Sequence, residues 1–212
     1  MKTLRAIIAG NRLYFAFWGL FFLVGFLFLL SVGKAASFVD LNPYHRTTLD
    51  TLFAWITFLG DGTFSVIVIL FFLIRRRWSK ATQVLAAFLL SALLAQILKN
   101  AFSMPRPKQF FAPGVYPYFI DGVTHLGFAS FPSGHTTSIF ALATMLALFT
   151  KDQRVKLACL LGAVVVGYSR IYLGQHFLGD VLMGSVVGTV VAVLVHWLFL
   201  IKFQSLPVFA RG

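Results

Sequence analysis

Apolar residues in this chain come in long unbroken runs, separated by short polar and basic stretches. The first run, Tyr14 to Val32, has 19 residues. That is enough for a helix to cross a hydrocarbon core of roughly 30 Å, and longer than the roughly 7–15 apolar residues of a signal peptide. It reads as an uncleaved first span, although the small residues Ala35-Ala36-Ser37 behind it keep a cleaved signal open. Lys34 to Asp50 is polar and reads as an exposed loop or short surface helix. The next run, Leu52 to Ile74, is interrupted by Gly60-Asp61-Gly62, expected to separate an interfacial segment from the span proper. A third run, Ala81 to Leu98, delivers Lys99 to the opposite surface. The fourth, Thr136 to Phe149, has only 14 residues, a rise of about 21 Å as a helix. Its helix must therefore begin at or before Ser133, and a fifth, starting near Val155, must run past Tyr168. The sixth is Leu178 to Ile201. The expectation is an all-α polytopic membrane protein, six transmembrane helices in one compact unit over residues 1–212.

Composition agrees. A chain that is 59% hydrophobic and 11% charged, with 25 Phe, is too apolar for a soluble domain. Its net charge of +12 would suggest nucleic acid in a soluble protein, but no polar basic domain is present to carry such binding. The basic residues flank the runs instead, where they face the cytoplasm and lipid phosphates. With six spans, one side holds twelve Lys and Arg: Lys2, Arg5, Arg12, Arg75, Arg76, Arg77, Lys80, Lys151, Arg154, Lys156, Lys202 and Arg211. The other holds six: Lys34, Arg46, Lys99, Arg106, Lys108 and Arg170. This asymmetry puts both termini in the cytoplasm and the second set outside. The single Cys159 permits no intrachain disulfide.

Three clusters interrupt the apolar pattern with chemistry. Lys99 is followed by Arg106-Pro107, then comes Pro132-Ser133-Gly134-His135, and finally Ser169-Arg170 leads to His176 and Asp180. On one helix, His176 and Asp180 would lie a turn apart, so that the carboxylate orients the imidazole and raises its basicity. His176 is thus a candidate nucleophile. The clusters bring three fixed cations, two imidazoles, one carboxylate and a Ser-Gly pair able to open a helix, where backbone N–H groups bind anions. Phosphoryl transfer is the chemistry that needs this set. The chain has no Glu, and no carboxylate cluster in these motifs suits a divalent metal, so neither metal nor cofactor is expected.

Read as Lys-x6-Arg-Pro, Pro-Ser-Gly-His and Ser-Arg-x5-His-x3-Asp, the clusters resemble the motifs of the type-2 phosphatidic acid phosphatase superfamily, whose relatives include bacterial acid phosphatases and vanadium haloperoxidases. The likeness covers Lys99 to Asp180 without a departure at a motif position. It implies that Lys99, Arg106, Ser133, the Gly134 backbone and Arg170 hold the phosphoryl oxygens. It further implies that His176, oriented by Asp180, attacks phosphorus, and that His135 protonates the leaving oxygen and then activates water.

The expected substrate is a phosphorylated lipid in the bilayer. Undecaprenyl diphosphate and lipid A phosphates are favoured, with phosphatidylglycerophosphate and phosphatidic acid also fitting, and the expected location is a bacterial inner membrane with the site facing outward. Transfer of the phosphoryl group to an acceptor alcohol stays open beside hydrolysis. A non-enzymatic lipid-handling role would predict losses among the motif residues, and none is lost. A haloperoxidase would usually be a soluble chain. The aromatic stretch with Phe110, Phe111, Tyr116, Tyr118 and Phe119 reads either as an interfacial belt or as a lid. Lys108 reads as an ordinary interfacial lysine, His125 is unassigned, and His45 and Asp61 are left out of the site. Gly184 and Gly188 continue the stripe from Asp180 and are expected to seat close helix packing inside the bundle, and His196 lies too far along the same helix to join the site.

Overall fold

The computed structural model describes residues 4–202, and among these the regular structure is entirely helical. The inward placement of Lys2 and Arg211 lies outside the described residues. A short α1 (Leu4–Gly10) leads into α2 (Arg12–Asp40), which carries the first apolar run. Gly33, at φ 83°, breaks the helical backbone inside α2. A side chain there would be strained, and the break lets the segment expected to lie on the surface continue as helix to Asp40.

The second run becomes α3 (Thr47–Thr57), a 3₁₀ turn (Phe58–Gly60) and α4 (Gly62–Ile74), with the two arms bent by 51° at the Gly-Asp-Gly interruption. Asp61 sits at the N-cap position of α4. The bend also serves packing: a Cβ on Gly60 would stand 3.0 Å from both Cβ and O of His135. Then follow α5 (Trp78–Phe102), a single turn α6 (Pro107–Phe110), α7 (Gly134–Leu148), α8 (Gln153–Tyr172) and α9 (Leu178–Lys202). Among the described residues, α2, α5, α8 and α9 are each long and apolar enough to cross a membrane, and the bent α3–α4 pair makes a fifth crossing when taken as one span. The run from Thr136 to Phe149 is the exception. Its helix, α7, has 15 residues, a rise of about 22 Å.

That short helix is the centre of the bundle. It packs against α9, α8 and α5, and almost every residue from Thr136 to Met145 is buried. A helix surrounded in this way has no lipid-facing side, so its run can be shorter and richer in Ala, Ser and Thr than the others. Close approach to α9 comes from Gly184 and Gly188. An added Cβ would lie 2.8 Å from the Ser133 carbonyl at the first position and 2.7 Å from the Ala141 nitrogen at the second, which also abuts the Thr137 carbonyl. The glycine stripe therefore packs inside the bundle, as expected. Tyr14 of α2 joins the same core, its hydroxyl 2.8 Å from Thr144 Oγ1.

A second cluster lies at the other end of α2. Phe38, Tyr116, Phe177 and Leu178 pack with Phe111 and Phe119, so these loop aromatics form a core over the α8–α9 connection rather than a belt. Only Phe110 and Tyr118 of the stretch stay largely exposed.

Overpacking a helix contact against backbone atoms costs about 1–3 kcal/mol. Gly188→Ala is therefore expected to lower the thermal unfolding midpoint in detergent, whereas Gly162→Ala, with open space at its Cβ, leaves it unchanged. Equal midpoints would refute the close α7–α9 seat.

Candidate active site

Each motif residue sits where a helix begins or ends, and all these ends meet at one face of the bundle. Lys99 lies in the last turn of α5, which Ser103 closes with a left-handed backbone at φ 41°. The chain then folds back, with Arg106 N–H donating to Gly127 O (2.8 Å) and Ser130 N–H to Met104 O (3.0 Å). Pro107 is the first residue of α6, where its fixed φ and missing donor do no harm, and Arg106 immediately precedes it.

Ser133 caps α7. Its Oγ accepts from the Thr136 N–H at 3.4 Å and from the Thr136 hydroxyl at 2.9 Å. Next to it, Gly134 leaves room for a cation: a Cβ there would be 3.3 Å from Lys99 Nζ. Arg170 lies in the last turn of α8, buried, with Nη1 donating to Thr57 Oγ1 at 2.6 Å and Nε without a partner. Gly174, at φ 66°, turns the chain, and the N–H groups of Gln175 and His176 both point back to Arg170 O.

His176 and Asp180 do meet, but not along one helix. Helix α9 begins only at Leu178, so His176 lies in the connection and Asp180 in the first turn. The His176 Nδ1 to Asp180 Oδ2 separation is 3.5 Å. The same Oδ2 accepts from Ser130 Oγ at 2.5 Å and from Phe177 N–H at 2.9 Å, and Asp180 O accepts from Ser133 N–H at 3.0 Å. Asp180 thus joins the second and third motifs. The expected rise in basicity is reversed. Burial outweighs the pull of the carboxylate, and with help from Arg170 and Arg106 it pushes His176 down to about 4. The imidazole is neutral at pH 7.

A cavity of about 430 Å³ opens between these elements, lined by Lys99, Arg106, Gly134, His135, Arg170 and His176. Six of the eight residues to which the resemblance assigns a role therefore share one wall. Ser133 and Asp180 are buried behind it. Three polar side chains that the motifs did not single out also line the cavity. Thr57 holds Arg170, Gln175 accepts from Arg106 Nη1 at 2.6 Å, and His125 stands at the exposed side. Ser130, the partner of Asp180, was also missed. Its only sequence signal is its place three residues before Ser133, and Thr57 had none, because it reaches the site from a distant helix.

Other residues fall outside. Lys108 pairs with the exposed Asp121 at 3.5 Å and does not line the cavity. His45 is held by Asp50 and Asn42 and stacks on Tyr172. His196 faces Gln83. Among the described residues no group of three or more His, Cys, Asp or Glu is placed to hold a metal ion.

Comparison with known proteins agrees with this geometry. Residues 80–203 match the family model of the PAP2 superfamily. A lipid A 4'-phosphatase of Porphyromonas gingivalis is 33% identical over 169 residues, 77% of this chain and 71% of that protein. An undecaprenyl-diphosphatase of Bacillus subtilis is 28% identical over 77% of this chain and 79% of its own. Among solved structures, Aquifex aeolicus LpxE superposes with a TM-score of 0.67 at 29% identity, covering 77% of this chain and 94% of that one. A transmembrane PAP2-type phosphatidylglycerolphosphate phosphatase from Bacillus subtilis gives 0.65 at 26% identity, covering 90% and 98%. Helical ends, motif spacing and matched residues together make this chain a member of the PAP2 superfamily, among membrane lipid phosphatases.

Proposed function

We propose that the protein hydrolyses a phosphomonoester or diphosphate of a bacterial envelope lipid through a phosphohistidine on His176. The observation that carries this reading is the convergence of Lys99, Arg106 and Arg170 with the imidazoles of His135 and His176 on one cavity. Nδ1 of His176 is turned to Asp180, which leaves Nε2 as the nitrogen that attacks phosphorus. Because the ring is neutral, its lone pair is available at pH 7 without a base. Attack forms the N–P bond and breaks the bond to the lipid oxygen; His135 gives that oxygen a proton that its ring takes up when the bound phosphate anion offsets the cations around it. The imidazole cation formed is stabilised by Asp180 behind it. His135 then takes a proton from water as the water displaces phosphate from His176.

The three cations hold the equatorial oxygens and stabilise their charge in the transition state. Gly134 contributes its backbone N–H at the start of α7, and Ser133, by capping that helix, fixes the orientation of this donor. Fixed cations supply the charge that a divalent ion would otherwise bring, so the reaction is proposed to need no metal.

The substrate follows from depth. With α7 counted as a sixth span, the motif residues lie at helix ends on the side with fewer basic residues, which supports a site on the outer face and termini in the cytoplasm. Phosphates of undecaprenyl diphosphate or lipid A lie at that depth, as do those of phosphatidylglycerophosphate and phosphatidic acid. The two relatives named first support the former pair. The whole chain acts as one inner-membrane unit in this reading, with its chemistry between Lys99 and Asp180.

Phosphate release from a panel of these lipids, in detergent with EDTA, is the first test. Release by the wild type, lost in His176→Ala and lowered about 10²–10⁴-fold in His135→Ala, is expected. A folded wild type that releases nothing from any lipid, or stops in EDTA, overturns the corresponding part of the reading. Histidine ¹⁵N shifts give a second test. His176 is expected to titrate near 4, and lower still in Asp180→Asn, because the carboxylate is what pulls it upward. Unfolded imidazoles take protons near pH 6.5, so this residue's contribution to stability is complete above that pH and declines as pH falls toward about 4. A midpoint above 6 would contradict the buried neutral nucleophile.

A further inference from the structure

The residue before the nucleophile stands out. Gln175 is 2% exposed although its side chain ends in a fully polar amide. Both ends of that amide are engaged. Nε2 donates to the Val123 carbonyl, and Oε1 accepts from Arg106 Nη1 at 2.6 Å. A backbone carbonyl can only accept, so the Val123 contact fixes which end is the nitrogen and turns the oxygen to Arg106. Its backbone is fixed too, through Gln175 N–H to Arg170 O at 3.0 Å. The loop it grips is tied down separately, by Thr124 Oγ1 donating to Leu173 O at 3.0 Å.

We propose that Gln175 is a positioning residue that aims the Arg106 guanidinium at the phosphoryl group while leaving its charge free, an inference that rests on the phosphatase reading above. The choice of a neutral acceptor matters. A guanidinium presents five donors in a rigid fork, and one acceptor on Nη1 leaves the others for phosphoryl oxygens. A carboxylate at the same place would make an ion pair and cancel the charge the substrate needs. Among the described residues no carboxylate pairs with Arg106. The loop that carries Val123 also lines the cavity. Loop position, amide and guanidinium therefore form one mechanical unit beside the nucleophile.

The test is a double-mutant cycle on the full chain in detergent, with inorganic phosphate as probe, its affinity measured directly by calorimetry and as competitive inhibition of lipid turnover. Gln175→Leu is expected to weaken phosphate about tenfold, the loss of one charge-assisted hydrogen bond, and to raise KM more than it lowers kcat. In an Arg106→Ala background the same change is expected to do almost nothing, because Gln175 acts through Arg106. Gln175→Glu supplies an independent readout that needs no apolar replacement to fold. Its carboxylate pairs with Arg106 near neutral pH and weakens phosphate relative to wild type. As pH is lowered and the introduced carboxylate takes a proton, its C=O and O–H reproduce the amide, and the gap to wild type closes.

Additive losses in the cycle, or a Gln175→Glu defect that does not change with pH, would overturn the proposal. If Arg106→Ala weakens phosphate and neither Gln175 variant does, the phosphatase reading stands and this inference fails. If the folded wild type binds no phosphate and Arg106→Ala changes nothing, both fail together.

Discussion

The carboxylate of Asp180 is the point on which the site depends. A buried carboxylate is tolerated only when it is satisfied, and here it accepts from the Ser130 hydroxyl and the Phe177 N–H, with the imidazole of His176 3.5 Å away. The backbone of the same residue receives Ser133 N–H. One residue in the first turn of α9 therefore fixes the loop before α7, the cap of α7 and the ring of His176. Removing the carboxylate would leave the Ser130 hydroxyl and the Phe177 N–H without their acceptor, a structural loss that accompanies any change at His176.

A second constraint is charge. Lys99, Arg106 and Arg170 approach one cavity, and two of them are held by neutral oxygens, Thr57 for Arg170 and Gln175 for Arg106. Gathering three cations with no carboxylate paired to any of them is unfavourable in an apolar bundle unless an anion is to be bound. Among the described residues the buried Nε of Arg170 has no acceptor, which fits the same view. The neutral His176 belongs with this arrangement, because a cationic ring would not sit easily beside three other positive charges.

The bundle delivers these groups by making its central helix unusual. Helix α7 has no apolar stripe because every side of it is a packing side, and Gly184 and Gly188 bring α9 against its backbone. The bend at Gly60 brings the α3–α4 joint against His135 from the other direction. Small residues therefore do in this protein what large side chains do elsewhere: they set distances, and the helix ends around the cavity inherit them.

The sequence by itself determined the apolar runs, the interruption at Gly60-Asp61-Gly62, the Ser-Gly pair that opens α7 (whose helix starts at Gly134, one residue later than the span-length argument required), the reach of α8 past Tyr168 and the motif residues. Each is a local matter of run length, helix rise or spacing. It also located the glycine stripe, because a four-residue step is readable on one helix. Only tertiary structure decided the rest. The place of His176 in a connection rather than on α9, the reversal of its basicity, the packing of Phe111, Tyr116 and Phe119 over the α8–α9 connection, and the contacts of Thr57, Ser130 and Gln175 all arise from groups far apart in the chain. Burial and hydrogen-bond partners are properties of the packed bundle, and no local pattern along the chain encodes which distant side chain will supply them.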